Sequence, residues 1–270
     1  MAFIISFVSM NILLFQVVLP FVLSAVVVIL ITVLAEKYGT KIGGIIGTLP
    51  TTIIIAFVFI ALNKDVEFAS NAVSVVPAEM GINLFFLVIF AVFAYRSIYH
   101  GLFFSFLFWI ILSYVLLIVN IMNIYVSLAI FVSSVFVTFL LLEKVIKVSS
   151  VGSVKVHYTK TKILFRGILT GTIIAISVLL SNTGEVISGI FSVFPAILSS
   201  TMIISFREHG PDFSAGMAKS MIFGSSSVMS YAVSIHFLYP AYGIFWGSIF
   251  AFCISLMMAV IIFNLRSKIR

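Results

Sequence analysis

The sequence predicts an all-α, polytopic membrane protein of about nine transmembrane helices, arranged as two inverted-topology repeats of five and four. Three observations lead there. The composition cannot cover a soluble surface, the hydrophobic runs have bilayer length, and a Gly-rich segment recurs 145 residues downstream.

Of 270 residues, 63% are hydrophobic and 9% charged, whereas soluble folds carry roughly 25% charged and about 45–50% apolar residues. Eight acids, fifteen Lys plus Arg and four His cannot hydrate a globule of this size. The hydrophobicity excludes disorder, and the lone Cys253 excludes a disulfide framework. The net charge of +7 does not point to nucleic acid as a partner, because the charges sit in short stretches beside apolar runs. That is the pattern of a topology signal. The N-terminus lacks a basic n-region, and residues 3–35 form too long an apolar run for a signal peptide.

A spanning helix needs about 20 apolar residues, and nine runs qualify: 11–35, 42–62, 80–95, 102–120, 124–142, 163–180, 186–206, 217–237 and 242–264. The first run stops at Glu36-Lys37-Tyr38-Gly39, and the residues before it are expected to lie along the membrane surface. The second stops at Asn63-Lys64-Asp65, the third at Arg96, and residues 120–123 part the fourth from the fifth. Residues 143–162 precede the sixth, residues 181–185 and 207–212 flank the seventh, and Tyr239-Pro240 parts the eighth from the ninth. Residues 1–147 then form a five-helix repeat, 148–162 a basic cytoplasmic linker, and 163–270 a four-helix repeat.

Sorting Lys and Arg onto the two sides of these spans puts fourteen on one side and Lys64 alone on the other. The positive-inside rule makes the crowded side cytoplasmic. A multi-pass protein of the cell membrane is expected, with its N-terminus and residues 63–78 outside and its C-terminus inside.

Shifting the chain by 145 residues lays Gly39, Ile42, Gly44, Ile45 and Pro50 on Gly184, Ile187, Gly189, Ile190 and Pro195 without a gap. Gly43 and Gly47 fall on Ser188 and Ser192, and Glu67-Phe68 falls on Asp212-Phe213. An odd number of steps separates the second helix from the seventh, so the copies point opposite ways; the extra helix of the first is expected near 102–120. Many secondary transporters use this plan and place their sites at the midplane, on broken helices.

The stretch Ile187-Ser-Gly-Ile-Phe-Ser-Val-Phe-Pro-Ala196, a charged loop and then Met221-Ile-Phe-Gly-Ser225 resemble the GlpM-type small bacterial membrane proteins. The resemblance covers residues 184–226 and, more weakly, 39–68. It implies a duplicated, fused version of that module and brings no substrate with it.

Pro50 lies about 13 Å beyond Lys41, and Pro195 about 15 Å beyond Glu185, so both fall near the middle of a core roughly 30 Å thick. Each proline removes a backbone donor and frees carbonyls one turn earlier, which in lipid must be met by protein or by a wet cavity. Thr48, Thr51 and Thr52 flank the first break; Ser192, Ser199, Ser200 and Thr201 flank the second. Gly44, Gly47, Pro50, Thr51, Thr52, Glu79, Gly189, Ser192, Pro195, Ser199 and Ser200 are therefore the candidate substrate-binding residues. A second reading stands beside this one, in which the prolines only kink and the small residues only pack helices.

Glu79, after Pro77, is either an acid within the membrane or an anchor at its outer surface, and Asn83 shares its helix face. Lys219 is read as snorkelling to the cytoplasmic surface, His236 as interfacial, Arg96 and Arg166 as positive-inside anchors, and Cys253 as packing. There is no His-Glu-x-x-His pair, Gly-rich phosphate loop or close pair of intramembrane acids. No enzyme, cofactor or metal is expected. Two functions remain: a transporter or flippase of a small or lipid-linked solute, with Na⁺ or H⁺ as coupling ion, and a non-transporting component that docks a membrane enzyme. Both have the lipid bilayer as partner.

Overall fold

The computed structural model describes residues 13–47, 49–146, 148 and 159–269, the side chains of 35–47, 145 and 265–269 excepted. The described residues are helical throughout, with no strand. A π-helical turn, Leu14–Val18, leads into α1 (Leu19–Gly47). Then come α2 (Thr51–Asn63), α3 (Val66–Ala72), a 3-10 turn (Val73–Val75) and α4 (Val76–Phe93). After α5 (Ile98–Val119), α6 (Ile124–Leu140) ends in a second π-helical turn, Leu141–Val145. The chain closes with α7 (Lys160–Leu180), α8 (Glu185–Ser192) and α9 (Ala196–Ile269). Gly210 (φ 80°) and Gly243 (φ 70°) break α9 into stretches 196–209, 211–242 and 244–269.

Local sequence explains most boundaries. Asp65 caps α3 by accepting from the Phe68 N–H, Ser97 caps α5 and Asn123 caps α6, each supplying an oxygen to otherwise orphaned first-turn donors. Asn120 closes α5 in the left-handed conformation that Asn tolerates. Gly210 and Gly243 occupy a backbone region that is essentially glycine's alone.

Six described stretches are long and apolar enough to cross a bilayer: Leu14–Leu34, Val66–Phe93, Ile98–Val119, Ile124–Lys144, Lys160–Leu180 and the broken Glu185–Asn264. The expected nine spans do not appear as nine separate helices. The expected loop at 36–41 lies inside α1, and the expected span 42–62 is interrupted ahead of Thr51. The third span begins at Val66 rather than Met80, because Pro77 sits in the first turn of α4, where its missing donor costs nothing. Residues 66–78, expected outside, are therefore helical, and of the six stretches Val66–Phe93 is the most deeply buried. The polar run 207–212 narrows to a break at Gly210, and the break near Tyr239-Pro240 falls at Gly243. Most of the expected linker, 148–162, and the expected surface segment before residue 13 lie outside the described residues; α7 already starts at Lys160.

Helix α4 is the axis of the bundle, with α5, α6 and stretch 211–242 around it. Phe57, Ile60, Leu84, Leu87, Phe90, Phe131, Tyr231 and Tyr239 fill the main core. Around the outside, α1, α5, α6 and stretch 244–269 present large apolar side chains such as Phe103, Ile118, Phe136 and Phe245. Tyr99, Tyr125, Tyr242 and Trp246 are exposed near helix ends, where aromatic belts form at membrane interfaces.

Helices α1 and α7 pack closely and antiparallel. Gly171 lies against Phe21 and Ala25, Gly167 against Ala25 and Ile29, and Asn182, just past α7, donates to Gln16 at the start of the chain described. Polar ties sort onto two ends of the bundle. At one end Gln16 and Asn63 pair, Asn63 donates to Ser181 Oγ (2.7 Å), and Asn71 donates to Glu185 (3.2 Å). At the other, Lys162 pairs with Glu208, Lys219 pairs with Glu143 and donates to the Val148 carbonyl, and the Tyr95 hydroxyl donates to Asp212 (2.6 Å).

The Tyr95 contact has a spectroscopic signature. Asp212 holds the Tyr95 proton, pushing the phenol from 10.0 up to about 12. A phenol whose folded value is raised contributes stability below its unfolded value of about 10, and loses it as pH climbs through about 12. Ultraviolet titration, as the difference between the natural protein and Y95F, should show ionisation near pH 12, moving toward 10 in D212N.

Candidate functional site

Both expected breaks exist, and they are built alike. Helix α1 ends at Gly47 and α2 begins at Thr51; α8 ends at Ser192 and α9 begins at Ala196. In the first break the Thr51 N–H reaches the Leu49 carbonyl (2.9 Å) and the Ile54 N–H the Pro50 carbonyl (3.1 Å). In the second, the Ala196 N–H reaches the Phe194 carbonyl (2.7 Å) and the Ser199 N–H the Pro195 carbonyl (2.8 Å). These are the same bonds, 145 residues apart. Both prolines are buried.

The candidate residues then divide. Thr51 and Thr52 are half-buried at the start of α2. Ser192, Ser199 and Ser200 are buried and donate to carbonyls three residues back, Gly189, Ala196 and Ile197. Their hydroxyls serve their own helices. Gly189 is a packing residue: a Cβ there would stand 2.1 Å from the Ala72 carbonyl oxygen and 2.6 Å from Val75. Gly44 and Gly47 lie in α1, and their surroundings, like Thr48, fall outside the described residues. Among the described residues no hydrogen bond joins Thr51 or Thr52 to Ser199 or Ser200.

The second break is instead served by α4. Asn83, fully buried, donates from Nδ2 to the Val193 carbonyl (2.7 Å), a group released by the interruption of α8 and α9. One turn earlier, Glu79 is also fully buried. It stands about 20 Å along the helix from Val66 and about as far from Phe93, halfway through the stretch. The surface-anchor reading of Glu79 is thus set aside. Ser113 of α5 donates to Glu79 Oε1 (2.8 Å), and the indole of Trp109, one turn from Ser113, lies beside the same carboxyl. Glu79 Oε2, Asn83 Oδ1 and Trp109 Nε1 are buried with no hydrogen-bond partner. Trp109 stacks edge-on against Phe194 (4.8 Å) and Phe191 (6.1 Å), which brings all three groups to the second break. Ser127 of α6 accepts from the Ala78 N–H (2.8 Å), steadying the backbone next to Glu79.

Trp109 and Ser113 were not among the sequence candidates. Their signal is a stripe of Gly101, Ser105, Trp109 and Ser113 at four-residue spacing, the buried seam of an otherwise apolar α5. Two other side chains differ from expectation. Arg166 is buried, not a surface anchor, and donates to Thr201 Oγ1 (3.0 Å) beyond the second break. Cys253 is exposed rather than packed. His236, read as interfacial, is half-buried and tied through Nδ1 to the Ser70 carbonyl (2.8 Å) and Ser74.

A groove open to the surface, lined by Leu117, Asn120, Met122, Thr183 and Glu185, runs between the end of α5 and the start of α8. A second, apolar groove is lined by Phe85, Val126, Ala129, Ile130 and Val137.

The family described as "Protein of unknown function (DUF3147)" matches residues 17–124. No curated protein and no solved structure matches the chain.

Proposed function

We propose that the chain is an integral membrane transporter or flippase of a small or lipid-linked solute, built from two inverted copies of one module and working by their relative rocking. The observation that carries this reading is the recurrence of one set of boundaries at one offset. Shifted by 145, Leu14–Leu34 falls on residues 159–179, Thr51 on Ala196, Val66 on Pro211, and Ile98–Val119 on 243–264. The helices so paired at the front of each set, α1 and α7, run antiparallel, as inverted copies must. The DUF3147 match, residues 17–124, covers one such set and stops where α6 begins. On this reading α6 is the helix between the sets, whereas the sequence alone suggested 102–120. The GlpM-type resemblance of 184–226 falls on the second copy.

Counting each set as four crossings, with α6 between, gives nine, an N-terminus outside and a C-terminus in the cytoplasm. The polar ties support this orientation: Lys144, Lys162, Arg207 and Lys219 gather at the end held by Lys162–Glu208, and Lys64 stands at the other. Single cysteines at Lys64 and Arg96, in a Cys253→Ser background, test it. An impermeant maleimide added to intact cells should label only position 64.

Pro50→Ala and Pro195→Ala test the function. Each restores a backbone donor where the helix is interrupted. Both variants should insert and accumulate normally, yet lose most transport in a substrate-complementation or efflux assay. Full activity in both would make the breaks mere kinks. The docking component would then be preferred, with the groove beside Phe85 and Val137 as its docking face.

A further inference from the structure

We infer that Glu79 is a proton-exchange site within the membrane, a carboxyl that takes up and releases a proton between α4, α5 and the second break. The setting is a carboxyl with no exposed surface and one hydrogen bond, from Ser113. Its second oxygen meets no hydrogen bond of ordinary geometry and has the Trp109 indole beside it, so the ionised carboxyl lacks a countercharge, while the protonated one can turn its O–H to Ser113 Oγ. Ionisable groups held this deep are costly, and they mark proton relays and ion pathways in membrane proteins.

The ligand class follows from the donors within reach. A metal cation would want several oxygens, and among the described residues the side chains beside the carboxylate offer Ser113 Oγ and, one turn on, Asn83 Oδ1, amid the rings of Trp109, Phe191 and Phe194, while the Val193 carbonyl is already taken by Asn83 Nδ2. A proton needs the carboxyl alone. No other titratable or charged group among the described residues stands against it. Helix α5 brings Ser113 and Trp109, and α6 brings the Ser127 hydroxyl to the Ala78 N–H. The acid of α8, Glu185, is held by Asn71, and His236 of stretch 211–242 is turned to Ser70 and Ser74. The groove lined by Asn120 and Glu185 reaches Leu117, one turn from Ser113, and is the nearest open face on α5.

Trp109 makes the site readable without any transport assay, so its failure and that of the transporter reading are distinguishable. The chain has two tryptophans, and W246F leaves Trp109 as the sole indole. In purified, detergent-solubilised W246F, Trp109 emission should change along a single titration curve between pH 4 and 10 (roughly the span over which carboxyls are documented to titrate). The curve should vanish in W246F/E79Q and shift its midpoint in W246F/S113A. Dicyclohexylcarbodiimide, which modifies protonated carboxyls in apolar surroundings, should label Glu79 by peptide mass spectrometry, less as pH rises. Should E79Q not fold, the labelling of the natural sequence decides. A pH-independent emission, a curve unchanged in E79Q, or labelling that is absent or constant with pH overturns the inference.

Discussion

Gly189→Ala is expected to prevent accumulation of the folded protein. The added Cβ would lie 2.1 Å from the Ala72 carbonyl oxygen, a backbone atom that no rotamer change can move aside. Overpacking of a core typically costs about 1–3 kcal/mol, and contact with rigid backbone belongs at the upper end. Gly184→Ala is the control. Its Cβ would stand 3.9 Å from Ile187 Cγ2, an ordinary contact and the nearest among the described residues. Fluorescence size-exclusion of tagged protein should show G189A lost or aggregated and G184A retained as a monodisperse peak. Equal recovery of both would mean α8 does not sit against α3 as described.

Asn83→Leu is the second large effect, and it acts in another way. The side chain is close to isosteric, so packing around α4 is kept while the donor to the Val193 carbonyl is removed. An orphaned buried acceptor costs about 1–3 kcal/mol, and no lipid can replace the bond. The protein should insert and survive detergent extraction, with a thermal midpoint several degrees lower, and on the transporter reading transport should be lost. Asn83→Gln, which keeps an amide one methylene further out, should recover part of both. Stability and activity unchanged in N83L would show that Val193 needs no partner from α4.

Residue chemistry announced the long apolar helices and the two breaks at Pro50 and Pro195. Apolar runs and a gapless Gly/Pro register survive any tertiary arrangement, because they are properties of the backbone's own needs. Span boundaries were less legible. From sequence the third span starts at residue 80, yet Pro77 sits in the first turn of α4, and residues 66–78 are helical. The partners of the site were hidden for a different reason. Glu79 and Asn83 lie one turn apart and could be seen together, but Ser113 and Trp109 reach them from another helix, and only packing selects which face of α5 turns inward. Arg166 shows the same limit: its position near the start of α7 suggested an anchor, and its hydrogen bond to Thr201 depends on a neighbour 35 residues away.

The position of α6 bears on how a chain of this plan is made. On the proposed duplication each set has four crossings, an even number, and two even units fused head to tail would both enter the bilayer the same way up. The helices α1 and α7 could not then lie antiparallel, and Gln16 would be a membrane's width from Asn182. A single intervening crossing reverses the parity of everything after it. On that duplication helix α6, with few buried side chains and an exposed flank of Val132, Phe136 and Val137, has a task in biosynthesis separate from any in the site. It would turn the second half over as the nascent chain is threaded into the membrane.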